Sequence, residues 1–188
     1  MADTPLVKIC GLTREQDVDA AIDSGADLVG FVVVPDSPRG VPLDRARALA
    51  AHAAGRARTV AVYAGAEPES RDGFDLVQVY GVPAFTERTI VGCREEHPPP
   101  LPVGVPLLFD LARGSHPDPA ALAAHWDRAA TQREPVMLAG ALDPRNVAQA
   151  VRAARPWAVD TARGVESAPG IKDAELIASF ITAAKEAT

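Results

Sequence analysis

Cys10 and Asp110 close two short apolar runs, Leu6–Cys10 and Pro106–Asp110, and a thiol facing a carboxylic acid is a usable acid/base pair. A thiolate can take a proton from carbon, and a protonated carboxyl can give one to a departing oxygen. That chemistry asks for a thiol drawn down toward the thiolate and a carboxyl pushed up by an apolar rim. Taken singly, Cys10 reads as a small buried hydrophobe and Asp110 as a turn residue after its strand. Alternation along a strand puts Lys8 and Cys10 on one face, with Val7 and Ile9 on the other. The same parity puts Leu108 with Asp110. Asp160 lies near the end of a third run, Ala158–Thr161, which neighbours the first if the strands close into a barrel, and is there expected to meet Lys8 in a buried ion pair.

Further candidates lie in the turns that follow such runs. Arg39, in Ser37-Pro38-Arg39-Gly40, offers a forked donor suited to a carboxylate or phosphate. Gly140 and Ala141 follow one late run, and Arg163 and Gly164 follow another. Small residues there let backbone N–H groups approach a phosphate, and Arg163 adds a positive charge. The candidate substrate-binding set is therefore Arg39, Gly140, Ala141, Asp160, Arg163 and Gly164. His52, His97, His116 and His125 share no metal-ligand spacing, and Cys10 and Cys93 form no CxxC pair, so neither a metal nor a disulfide scaffold is expected.

The elements that must position these residues are eight runs rich in β-branched side chains. They are Leu6–Cys10, Leu28–Val34, Thr59–Tyr63, Leu76–Tyr80, Thr89–Arg94, Pro106–Asp110, Val136–Ala139 and Ala158–Thr161. Most are apolar at successive positions, as parallel strands buried on both faces are. Helical stretches lie between several of them. Thr13 and Gln16 suggest a capping box closed at Gly25. Asp118-Pro119 and Asp143-Pro144 read as N-cap and first-turn pairs. Residues 42–54 and 173–184 supply two more helices. This alternation predicts a single (β/α)₈ TIM barrel over residues 1–188, with the chemistry at the C-terminal ends of the strands. A doubly wound sheet would show a Gly-rich first turn, which is absent. The chain is short for eight full units, and the shortfall falls on residues 64–74, 81–88 and 95–105. The last carries Pro98, Pro99, Pro100 and Pro102, which forbid a regular helix. Helices 3, 4 and 5 are thus expected to be shortened or missing, with Pro-rich loops or a partner subunit covering the outer strand faces.

Composition narrows the function classes. A net charge of −6 and a pI near 5.2 argue against a phosphate-tracking basic face, hence against nucleic acid as partner. The longest apolar run, residues 28–34, is far short of the ~20 residues of a membrane helix. With no secretory signal read in MADTPLVKIC, a cytoplasmic protein with no membrane partner is expected.

Lys8-Ile9-Cys10-Gly11-Leu12-Thr13, Ser24-Gly25-Ala26-Asp27 and Gly30-Phe31-Val32 together resemble the opening of the phosphoribosylanthranilate isomerase family. The resemblance runs on through Ser37-Pro38-Arg39, Val77-Gln78, residues 107–110, Leu138-Ala139-Gly140, residues 143–147, Val159-Asp160, Gly164-Val165-Glu166 and residues 169–173. It implies a TIM-barrel enzyme of tryptophan biosynthesis that needs no cofactor and works as a monomer or homodimer on a small phosphorylated substrate. The implied reaction is the Amadori rearrangement of N-(5′-phosphoribosyl)anthranilate to the corresponding 1-deoxyribulose phosphate. The family's general base then falls on Cys10 and its general acid on Asp110. Arg39 falls where the anthranilate carboxylate is recognised, and the last two strand-end loops fall where phosphate is held. Departures stand at Tyr80 in place of a usual His, Ala141 in place of a second Gly, Ala162-Arg163-Gly164 in place of Ser-Ser-Gly, and residues 111–116. They imply altered substrate affinity more than lost chemistry. An isomerase of a related aminoaldose phosphate, or a barrel that binds a phosphorylated ligand without turnover, are the alternatives.

Overall fold

Eight parallel strands close on themselves in chain order in the computed structural model, which describes residues 4–65, 68–81, 83, 87–94, 98, 100–112 and 114–187. The strands are β1 (Leu6–Cys10), β2 (Leu28–Val32), β3 (Arg58–Val62), β4 (Leu76–Tyr80), β5 (Thr89–Cys93), β6 (Leu107–Phe109), β7 (Val136–Leu138) and β8 (Ala158–Thr161). The barrel closes where β8 pairs with β1, placing Lys8 opposite Asp160. Inside, Leu28, Val60, Ile90, Leu108 and Met137 fill the barrel; outside, Val7, Ile9, Phe31, Leu138 and Val159 meet the helices. The period-2 parity of each strand makes this division.

Helices back the barrel unevenly. α1 (Glu15–Asp23) and α2 (Leu43–Ala53) follow β1 and β2, while α3 (Pro119–Ala130), α4 (Val147–Ala154) and α5 (Ala174–Lys185) follow β6, β7 and β8. Among the described residues no helix follows β3, β4 or β5. The outward side chains Ala61, Val77, Val79 and Cys93 are nevertheless buried, sharing a cluster with Phe74 against which Leu101 of the Pro-rich segment packs. The chain's own loops therefore cover that side. A hairpin of β9 (Glu166–Ala168) and β10 (Ile171–Lys172) stands between β8 and α5. No helix among the described residues is long and apolar enough to cross a membrane.

Helix starts follow the sequence signals in part. Asp118 caps α3 by accepting the Ala121 N–H at 2.8 Å, with Pro119 in the first turn. Asp173 caps α5 by accepting from Glu175 and Leu176. Thr13 forms no capping box, because its hydroxyl donates instead to the Gly170 carbonyl at 2.7 Å, and the N-cap is Arg14. Asp143-Pro144 opens a turn and not α4, which begins at Val147. Asp143 accepts the Arg145 N–H, while Asn146 donates to the Ala141 carbonyl. Those bonds shape the loop after β7 and postpone the helix. β2, β3, β5, β6 and β7 also end one or two residues before their sequence-read limits.

Candidate active site

The C-terminal mouth of the barrel encloses a cavity of about 420 Å³, and every candidate from the sequence lines it: Cys10, Arg39, Asp110, Gly140, Ala141, Asp160, Arg163 and Gly164. A roomier groove of about 980 Å³ at the opposite end, between the ends of α3 and α4, contains none of them. His97 and Arg113 lie outside the described residues.

Below the mouth, Lys8 is fully buried with its Nζ 2.7 Å from Asp160 Oδ1. Gly30 makes room for this arrangement. A Cβ there would stand 3.0 Å from Cys10 Sγ and 3.1 Å from Lys8 Nζ, tight enough that both side chains would have to give by a few tenths of an ångström. Burial alone would pull Lys8 down, but Asp160 and Cys10 outweigh it and hold the ammonium charged. Burial pushes the Cys10 thiol up, and Lys8 opposes that without overcoming it. The chemistry asks for a thiol drawn down, and here desolvation of the thiolate is the larger effect. Asp110 meets its expectation. Burial raises its carboxyl, and Asp160 adds to this, against the pull of Arg94, Tyr80 and the Leu111 N–H.

Two residues around Asp110 are not singled out as site residues by their types or spacing. Tyr80, the last residue of β4, donates its hydroxyl to Asp110 Oδ2 at 3.1 Å. Arg94, just past β5, approaches the same oxygen through Nε at 3.3 Å and sits over the Tyr80 ring, its Cζ 3.6 Å from the centroid. Tyr80's departure from the family's His was a visible sign; nothing marked Arg94 except its place at a strand end. Close by, Gln78 Oε1 is buried and has no hydrogen-bond partner among the described residues.

On the opposite rim, the Arg39 fork is already engaged. Its Nε and Nη2 donate to Glu166 at 2.8 and 2.6 Å. Glu166 also accepts from Lys172 Nζ at 2.8 Å and from the Gly170 N–H at 3.2 Å. Burial works to raise Glu166, but Arg39 and Lys172 hold it below the usual carboxylate range. Lys172 further donates to the Ala162 carbonyl at 2.9 Å, so the β9–β10 hairpin ties Arg39 to the loop after β8. The loop after β7 turns through two left-handed residues, Gly140 (φ +91) and Ala141 (φ +52).

A closed parallel barrel with a polar cavity at the C-terminal strand ends is a (β/α)₈-barrel enzyme. Comparison with known proteins supplies the family. The model of N-(5′-phosphoribosyl)anthranilate (PRA) isomerase matches residues 109–183. The N-(5′-phosphoribosyl)anthranilate isomerase of Nitrobacter winogradskyi is 38% identical, over 97% of this chain and 93% of its own length. Among solved structures, the Thermotoga maritima phosphoribosyl anthranilate isomerase superposes with a TM-score of 0.76 at 30% identity, covering 97% of this chain and 99% of that one. A phosphoribosyl anthranilate isomerase structure in complex with reduced 1-(o-carboxyphenylamino)-1-deoxyribulose 5-phosphate gives 0.74 at 31% identity over 97% and 99% of the two chains. This chain belongs to the phosphoribosylanthranilate isomerase family.

Proposed function

We propose that this enzyme carries out its family's reaction, the isomerisation of N-(5′-phosphoribosyl)anthranilate in tryptophan biosynthesis, with Asp110 as general acid and Cys10 as general base. The observation that carries the assignment is the shared cavity: Cys10 from β1 and Asp110 from the end of β6 line one mouth, in a chain that follows its relatives over nearly their whole length.

The steps follow from the residues. Asp110, protonated, gives its proton to the ribose ring oxygen as the bond from that oxygen to C1′ breaks, leaving a Schiff-base cation. Cys10 as thiolate removes the C2′ proton, and the electron pair moves to form an enolamine that tautomerises to the aminoketose. No atoms are gained or lost. The Lys8 ammonium beside Cys10 favours the thiolate, and the cationic intermediate favours it further, countering the burial that raises the free thiol. Arg39 faces the anthranilate carboxylate, with Glu166 and Lys172 holding its orientation. The backbone of Gly140, Ala141 and Gly164, with Arg163, receives the phosphate. The reaction is placed in the cytoplasm, on a small phosphorylated substrate.

The test is the loss of phosphoribosylanthranilate fluorescence on adding purified protein, beside Cys10→Ala and Asp110→Asn. Turnover by the wild type that collapses in both variants is the expected result. Turnover surviving either substitution overturns that residue's role. Saturable binding without turnover by the wild type overturns the activity in favour of a ligand-binding barrel.

A further inference from the structure

The surroundings of Asp110 specify more than its burial, because its two oxygens are treated differently. Oδ2 receives two donors, the Tyr80 hydroxyl at 3.1 Å and Arg94 Nε at 3.3 Å. Oδ1 receives one among the described residues, the Leu111 N–H at 2.8 Å. A carboxylate oxygen has two lone pairs, so among the described residues Oδ2 is filled and Oδ1 keeps one site open. The donors on Oδ2 are themselves fixed. Arg94 is laid on the Tyr80 ring, a cation–π contact that restrains its direction. Tyr80 accepts from Gln78 Nε2 at 3.4 Å. Its ring lies over Gly92, where a Cβ would come within 2.6 Å of a ring carbon. Three adjacent strands, β4, β5 and β6, thus cooperate to hold one oxygen of one carboxyl.

We infer that Tyr80 and Arg94 are positioning residues that saturate Asp110 Oδ2, so that the proton Asp110 delivers is carried on Oδ1. This rests on the assignment of Asp110 as the proton donor. It goes beyond it by naming the oxygen that carries the proton and the two side chains that select it. Without the Tyr80 hydroxyl, a second protonation site opens on Oδ2, and a proton lodged there is misdirected. Without Arg94, the carboxylate also loses its nearest cation, while Asp160 continues to disfavour its charge from β8. Cys10 and Lys8 lie deeper, on β1.

Tyr80→Phe removes the hydroxyl and keeps the ring on which Arg94 lies; Arg94→Met removes the charge and keeps the stem. In each variant kcat is expected to fall about tenfold, with KM changing less than about threefold, the pattern of a group acting in the transition state more than in binding. The Asp110 carboxyl, followed by ¹³C NMR as the resonance missing from Asp110→Asn, is expected to titrate at higher pH in Arg94→Met. A smaller shift in the same direction is expected in Tyr80→Phe. Arg94→Lys, which restores the charge without the planar fork, should return the midpoint but not the full kcat. An unchanged kcat together with an unchanged midpoint in both single variants overturns the inference. A wild-type enzyme that does not turn over, or an Asp110→Asn variant that does, overturns the underlying assignment instead. The NMR midpoints still judge the clamp in that case.

Discussion

Replacing Asp160 by Asn should destabilise this barrel strongly, and in a manner that depends on pH with a definite sign. Lys8 is wholly buried and its ammonium lies 2.7 Å from Asp160. Asn keeps an acceptor there but removes the compensating charge. Breaking a buried pair by removing one partner costs about 3–5 kcal/mol. The structure also sets a ceiling, because Lys8 can escape by losing its proton. From its ordinary value of 10.5, deprotonation at pH 7 spans 3.5 units, or about 4.8 kcal/mol at about 1.36 per unit. A loss between about 3 and 5 kcal/mol corresponds to a fall in Tm of roughly 6–20 °C for a chain of this size. In the variant the folded-state pKa of Lys8 lies below the unfolded one, so the unfolded chain binds the extra proton. Stability should then rise with pH, at up to about 1.4 kcal/mol per unit between pH 7 and 10. The wild type behaves oppositely: its raised Lys8 contributes stability that is fully present below 10.5 and lost as pH climbs through the folded value. Urea unfolding of both proteins at several pH values between 6 and 10 is the assay, with Lys8→Met/Asp160→Leu as the control that removes both charges. The double variant should recover to within about 1 kcal/mol of wild type. An Asp160→Asn loss under about 1 kcal/mol, or one that grows with rising pH, would refute the reasoning.

Other substitutions follow from the same site. Ala141→Gly should stabilise the protein by about 0.5–1 kcal/mol in urea unfolding, since Ala141 holds a φ of +52 that a side chain tolerates poorly. Asp110→Asn should abolish turnover and yet raise stability at pH 7 by about 1 kcal/mol. Its folded pKa is raised above the ordinary 3.8, so its ionisation destabilises the fold above that range, and the variant's gain should vanish as pH approaches 3.8. Glu166→Gln should weaken a carboxylate-bearing product analogue about tenfold, about 1.4 kcal/mol, by releasing the Arg39 fork. The descarboxy analogue should bind both proteins alike in titration calorimetry.

The strands were the most legible part of this chain, for a physical reason. A strand buried on both faces must be apolar at successive positions, and Leu6–Cys10, Leu76–Tyr80 and Ala158–Thr161 coincide with the observed bounds. Parity, with the closure of the last strand on the first, sets Lys8 against Asp160. The starts of α1 and α4 were misread because Thr13 and Asn146 use their side chains on distant or loop carbonyls, which compete with local capping. The Arg39–Glu166 pair joins residues 127 apart in the chain, beyond any local pattern. The thiol's direction is not legible in the sequence, which shows which charges approach a group but not how little water does.

Among the described residues, the outer faces of β3, β4 and β5 pack against loop side chains such as Phe74 and Leu101, whereas β1, β2 and β8 pack against helices. The two sides should differ in durability. Cys10 stands on β1, where α1, α2 and α5 pack together along the wall; Tyr80 and Arg94, which hold the acid, stand at the ends of β4 and β5, covered in part by loops. Amide exchange proceeds through local openings whose free energies follow local packing. The amides of β3 to β5 should therefore exchange through openings smaller than global unfolding, while those of β1, β2 and β8 wait for it. On warming, the Tyr80 and Arg94 contacts to the acid would loosen before the base moves, so inactivation would precede melting and would be reversed on cooling. A barrel trimmed on one side carries its thermal fuse within its own wall.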